Sequence, residues 1–306
     1  MKNIFFAFAL CVTAGLTFHV AAGDNQLIPI QTEESVAETR KALAAQVDYS
    51  YVAPANLSVG SNRLGDIDEH FTSINTSAII PISDKLYFRF GPEWSRFSFG
   101  MPSAAPMPNT LQEVAMLIGA DYVINDAWQL RMEMHPGLYS DFQDISFDDV
   151  NIPATFGASY SMNESLKFLV GISVNPRREY PVLPGAGVWW KINDKWTLNA
   201  VMPKPRIEYH VNDTVTLHAG GEVKGGTYMV ADDFGRTHGI ANLDSEPIDY
   251  WEVRTGAGLT WNVREHVSVG LEGGYMIDRN IEYNNANTRL DTEGAPYGAI
   301  SVKAKF

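Results

Sequence analysis

Three histidines, His135, His210 and His218, stand among polar residues that alternate with apolar ones. Histidine is the side chain best suited to move protons near neutral pH. A lipid hydrolase built on strands would place such a histidine beside a serine, with a third polar group orienting the imidazole. The chain contains no Gly-x-Ser-x-Gly element and no His-Glu-x-x-His, and His70, His238 and His266 fall near loops or turns. Hydrogen-bonded structural roles are therefore predicted for the histidines, and no catalytic residue is assigned. The acidic run Asp141, Asp144, Asp148 and Asp149 has oxygen chemistry suited to a hard cation, but its spacing matches no defined binding loop. It reads as a solvated face, and no metal or cofactor is expected.

The charged residues carry the remaining chemistry. Arg89, Glu93, Arg131, Glu133, His135, Glu208, His218, Glu222, Lys224, Glu252, Arg254 and Glu272 all fall on the polar side of alternating segments. Interleaved signs pair across neighbouring strands, which stiffens a wall and narrows any space it encloses. If that face lines a lumen, the same charges set the selectivity of a narrow path for small polar solutes.

The elements that hold these residues are strands. Trp128, Leu130, Met132 and Met134 alternate with Gln129, Arg131, Glu133 and His135, and Trp251 to Trp261 alternates with Glu252 to Thr260 in the same way. Short polar turns recur at Ser83-Asp84, Asn125-Asp126, Asn163-Glu164, Asn193-Asp194, Asn212-Asp213 and Asn262-Val263. Tyr122, Tyr160, Trp190 and Tyr209 precede four of these Asn residues by three positions, and Trp128 and Trp196 follow two of the turns. Aromatics at one height beside the turns predict an interfacial girdle. Longer connections, Ser61–Glu69, Met101–Pro108, Asp141–Asp149, Asn175–Leu183, Val230–Pro247 and Asn284–Gly294, alternate with the short ones. The reading is all-β: a single closed antiparallel transmembrane β-barrel over residues 45–306, of about fourteen strands, with twelve the next count. Trp196–Met202 and Arg206–Val211 are the shortest strands, a hairpin with Pro203-Lys204-Pro205 at its tip, and they predict a notch in the wall.

Lys2, the apolar run Ile4 to Phe18 and the small residues Val20-Ala21-Ala22 predict a cleaved signal peptide over residues 1–22. Residues 23–44, charged and poor in apolar side chains, read as a periplasmic lead that is flexible or forms a short helix. Cys11 is the only cysteine, so the mature chain has no thiol chemistry and no disulfide. A formal net charge of −13 argues against nucleic acid as a partner.

The chain ends Ile300-Ser301-Val302-Lys303-Ala304-Lys305-Phe306, with one face apolar, one polar and an aromatic last. That ending, the leader and the turn Asn193-Asp194-Lys195-Trp196 resemble the porin-like outer-membrane β-barrel families of Gram-negative bacteria that have no established function. The resemblance implies outer-membrane location, contact with membrane lipids and lipopolysaccharide, and delivery to the barrel-assembly machinery through Phe306. A narrow passive pore or a structural barrel is the expected role, not an enzyme. The alternatives are a lipid-modifying enzyme of the outer membrane and a soluble periplasmic β-sheet protein that binds a ligand.

Overall fold

The computed structural model describes residues 42–283 and 285–306. The leader and most of the predicted lead segment lie outside the described residues. Fourteen antiparallel strands form one closed sheet. They are β1 (Ala42–Val59), β2 (Asn62–Pro81), β3 (Leu86–Gly100), β4 (Thr110–Val123), β5 (Trp128–Met134 and Gly137–Ser140), β6 (Val150–Asn151 and Ala154–Asn163) and β7 (Leu166–Val174). β8 (Val182–Lys191), β9 (Trp196–Ala200), β10 (Arg206–His210), β11 (Val215–Met229), β12 (Pro247–Arg264), β13 (Val267–Tyr283) and β14 (Thr288–Thr292 and Ala295–Lys305) complete the ring. Pro136 and Pro153, which donate no hydrogen bond to a ladder, sit at the breaks in β5 and β6. Closure comes from β14 against β1, with Val302 opposite Val47. Leu43 and Phe306 exchange backbone bonds at 3.0 and 2.8 Å.

The short turns are built by one device. Asn125 Oδ1 accepts from the N–H groups of Ala127 and Trp128, Asn193 Oδ1 from Lys195 and Trp196, and Asn212 Oδ1 from Thr214 and Val215, all within 2.8–3.0 Å. Each side chain thus satisfies donors that the reversing chain leaves free. The sixth expected turn lies elsewhere. β12 runs on through Asn262 to Arg264 and the chain reverses at Glu265-His266, because a register shift near Asn262 absorbs the irregularity.

Three further boundaries differ from the sequence reading. β1 starts at Ala42 rather than Ala45. The segment expected as the loop Ser61–Glu69 is mostly strand, since β2 begins at Asn62. Thr288–Thr292, expected within the last loop, belongs to β14. The wall is therefore very uneven in height. β1 has 18 residues and β2 has 20, whereas β9 and β10 have five each, which at about 3.3 Å per residue and a tilt near 40° rise only about 13 Å.

The upper end of β11 leans over this low stretch and meets β5 in a parallel bridge, Met229 to Ser140. The Asp141 N–H donates to the Met229 carbonyl at 3.1 Å, and the Asp141 carboxylate accepts from Ala231 N–H at 3.1 Å. Burial pushes the Asp141 carboxyl up from its ordinary pKa. Beside that junction the tall strands enclose an apolar core, including Leu57, Phe97, Leu111, Tyr139 and Ile248, into which Val230 and Phe234 of the longest loop pack. The long-loop end of the tall part is thus filled.

Outward residues form an apolar belt: Leu130, Met132, Phe156, Val170 and Ile172 are exposed, while Arg131 and Glu133 between them point in and are buried. A charge on that belt meets hydrocarbon in a bilayer and one on the inner face does not. Leu130→Arg is expected to cost about 2–4 kcal/mol and Gln129→Arg well below that. Urea titration of vesicle-refolded protein measures both, and equal losses would contradict the assigned faces.

Candidate functional site

Most of the interior charges fall into three groups, brought together largely by cross-strand register. On β3 to β5, Arg89 pairs with Glu133, Arg131 donates to Asp121 from Nε at 2.5 Å and Nη2 at 3.1 Å, and His135 Nδ1 lies 2.7 Å from Glu93. All of these side chains are buried. They are neighbours because Asp121 stands opposite Arg131 and Gly119, without a side chain, stands opposite both Arg89 and Glu133.

The second group joins β1, β2, β11, β12 and β13. Glu69 accepts from Arg254 Nη2 at 2.9 Å, from Arg279 Nη2 at 2.8 Å and from the Tyr250 hydroxyl. Glu252 lies 2.6 Å from Arg254, and Ser50 accepts from Arg254 Nη1 at 2.9 Å. The side chains of Glu69, Glu252, Arg254 and Arg279 are 0% exposed. Lys224 completes the group with its ammonium 3.9 Å from the centre of the Phe71 ring. Glu69 and Glu252 balance Arg254 and Arg279, and all four side chains are closed off from solvent.

The third group is different. It lies at the tip of the β9–β10 hairpin, where Lys204 turns inward and stands 3.5 Å from both Glu222 on β11 and Glu272 on β13. Glu272 is held by Tyr297, which donates at 2.6 Å, and by His218 Nε2 at 3.0 Å. Arg206 donates from Nε to Glu208 at 2.5 Å. Lys204 is 42% and Arg206 33% exposed. Lys204, Arg206, His218 and Glu272, together with Gly220, Gly221 and Gly256, line a small open cleft with room for about one water. His210, also on the inner face, lies between Thr197 and Thr216 at 3.2 and 3.1 Å.

Above the tip the wall has a gap. β8 pairs with β9 only from Val188 to Lys191, while Val182 to Val188 pairs on its other side with β7. The bonds Asn175 N–H to Pro181 O and Lys191 N–H to Ser165 O show that odd-numbered residues of β8 bond β7. The backbone of Val182, Pro184 and Ala186 therefore faces the gap, and Pro184 has no N–H to leave unpaired there. Across the gap, Pro205 O and Pro203 O accept from the N–H groups of Gly221 and Val223 at 2.9 and 2.8 Å, so the hairpin tip clings to β11.

The twelve charged residues expected on the inner face stand in these three groups, and the girdle residues Tyr122, Trp128, Tyr160, Trp190 and Trp196 are exposed on the outer face. Trp128 packs on Tyr160 at 4.9 Å and Trp196 on Tyr209 at 4.8 Å between ring centres. Phe306 is 70% exposed. His70, expected near a loop, stands on the outer face of β2 and lies 2.8 Å from the Tyr49 hydroxyl.

Sequence reasoning missed Glu69, Arg279, Tyr250, Tyr297 and Lys204 as members of these groups. Arg279 faces inward because a register shift between Val253 and Arg254 lets β13 change faces after Met276. Lys204 sits in a turn, where alternation carries no directional signal.

Removing one partner of the fully buried group strands the others. Arg254→Met is expected to cost about 3–5 kcal/mol, and Arg206→Gln, one-third exposed, at most about 1. Denaturation midpoints of the two variants compare them, and a costlier Arg206→Gln would contradict this division of the interior.

Several solved structures are similar to this chain at low identity. An outer-membrane channel from Pseudomonas putida F1 is 11% identical over 92% of this chain and 100% of that one, with a TM-score of 0.49. The P. putida toluene transporter TodX is 8% identical over 90% and 91%, with a TM-score of 0.47, and a Pseudomonas aeruginosa FadL homologue is 11% identical over 94% and 95%, at 0.38. The barrel of this chain rests on its own strand pairing. No curated protein matches it in sequence. The family model described as Domain of unknown function (DUF6268) matches residues 44–290, and the chain belongs to that family.

Proposed function

We propose that the protein is an outer-membrane barrel that acts as a narrow passive channel for small polar solutes. The observation that carries this reading is the contrast between the interior groups: two are dry and self-paired, and the third keeps Lys204 and Arg206 partly exposed in a cleft. Around and below the cleft the inner face carries the polar Thr197, Asn199, Ser159 and Ser268 beside a small apolar cluster of Leu169 and Trp189. The route runs from the periplasmic end along β6 to β11, past the cleft, and out through the gap between β8 and β11. Charges placed at its narrowest point select by sign and size.

No catalytic chemistry is part of this reading. The outer belt contacts membrane lipid, the long-loop rim contacts lipopolysaccharide, and the strand ending at Phe306 is the segment offered to the assembly machinery. A structural barrel without a path is the second reading, favoured by the filled core around Leu57, Phe97 and Tyr250.

Planar-bilayer recording separates the two. The refolded full chain is expected to conduct in small discrete steps, and Lys204→Glu to move the zero-current potential in a salt gradient toward cation selectivity. Silence from protein whose gel mobility shows a folded barrel would overturn the channel.

A further inference from the structure

The cleft at the hairpin tip offers both signs of charge at once. Arg206 spends only Nε on Glu208, and among the described residues its Nη1 and Nη2 make no hydrogen bond. That leaves the end of a guanidinium whose planar fork matches a carboxylate. Beside it, the Lys204 ammonium stands 3.5 Å from two carboxylates, longer than the roughly 2.8 Å of a tight charge-assisted bond. This is a loose pair that water reaches, and an incoming ammonium group can replace it. Glu272 stays in position without Lys204, because Tyr297 and His218 hold it.

The floor is a row of glycines. Arg206 stands opposite Gly220, Gly220 opposite Gly256 and Gly256 opposite Gly274, a row across β11, β12 and β13 on the inner face. A Cβ added at Gly256 would collide with the Tyr297 hydroxyl. The missing Cβ atoms therefore let Arg206 settle over Gly220 and the Tyr297 hydroxyl over Gly256, which brings the guanidinium and the Tyr297–Glu272 pair to opposite sides of one narrow cleft.

We infer that this cleft binds small zwitterions of the amino-acid class, and the inference rests on the channel reading for its use. The solute carboxylate sits on the free edge of Arg206, and its ammonium takes the place of Lys204 at Glu272 and Glu222. A bare anion would face Glu208, Glu222 and Glu272 uncompensated. A bare cation can take the place of Lys204 as the solute's ammonium does, but it then faces Arg206 with no carboxylate to offer it. Only a molecule carrying both charges leaves neither set unpaired, which is discrimination by mismatched charge as much as by attraction.

Isothermal titration of the refolded full chain in detergent tests this, with glycine and β-alanine as zwitterions and acetate and ethylammonium as single-charge controls. At least one zwitterion is expected to bind tenfold or more tightly than either control. Arg206→Gln should remove that binding at least tenfold, and Glu272→Gln should erase the preference over acetate. If Glu272→Gln fails to show the mobility of a folded barrel, Glu222→Gln replaces it. Equal binding of all four probes, no binding at all, or zwitterion binding that survives Arg206→Gln would overturn the inference. Conductance measured alongside distinguishes the two proposals. Conductance without zwitterion preference sinks this site alone, and zwitterion binding without conductance upholds the site and sinks the channel.

Discussion

Water does not reach backbone N–H and C=O groups in the core of a bilayer, and each one left unpaired there costs several kcal/mol. A sheet meets that demand only by closing on itself, which here means β14 pairing with β1 from Lys305–Ala44 to Tyr297–Val52. Everything else follows from closure. Side chains must alternate between lipid and interior, so every strand delivers its polar residues to one enclosed space. The ladder is incomplete at the upper edge of β8, and there Pro184 removes a donor and the hairpin tip lends the carbonyls of Pro203 and Pro205 to β11.

The enclosed space is then divided by strand length. Tall strands bring their upper inner faces together above the low wall, and those faces are apolar, so they pack as a core that loop residues such as Val230 and Phe234 complete. Beneath it, Glu69, Glu252, Arg254 and Arg279 are closed off from solvent and balance one another's charge. Buried ion pairs of this kind give little net stability, but they are costly to break one partner at a time, and they hold the strands in a single register. The short β9 and β10 cannot reach that core. Their tip stops lower, beside Glu222 and Glu272, and a wet, charged recess remains.

Much of this was legible in the sequence and some was not, for identifiable reasons. Alternation around Trp128–Met134 and Trp251–Trp261 reported the faces correctly because those stretches cross the apolar belt, where lipid lies on one side and charge on the other. The same signal failed at Ser61–Glu69. Higher on β2 the outward residues Asp66, Asp68 and His70 are polar and the inward Ile67 and Phe71 are apolar, so the pattern inverts and looked like a loop rather than a strand. Counting by twos lost Arg279 at the bulge in β13. The recess escaped because it depends on a turn residue, Lys204, meeting two strands that are distant in sequence, whereas the short hairpin that places it was readable from the spacing of Asn193 and Asn212.

On one side of the barrel interior Lys204 and Arg206 are partly exposed, and on the other Glu69, Glu252, Arg254 and Arg279 are fully buried. Cysteine labelling tests this division most directly, since the mature chain carries no cysteine of its own if the leader is removed before Gly23. Lys204→Cys in the folded, vesicle-reconstituted protein should react quickly with a small water-soluble maleimide. Ser50→Cys, a conservative change beside Arg254 at a site 2% exposed, should react only after unfolding. Equal reactivity at the two positions, or a protected Lys204→Cys, would contradict the account.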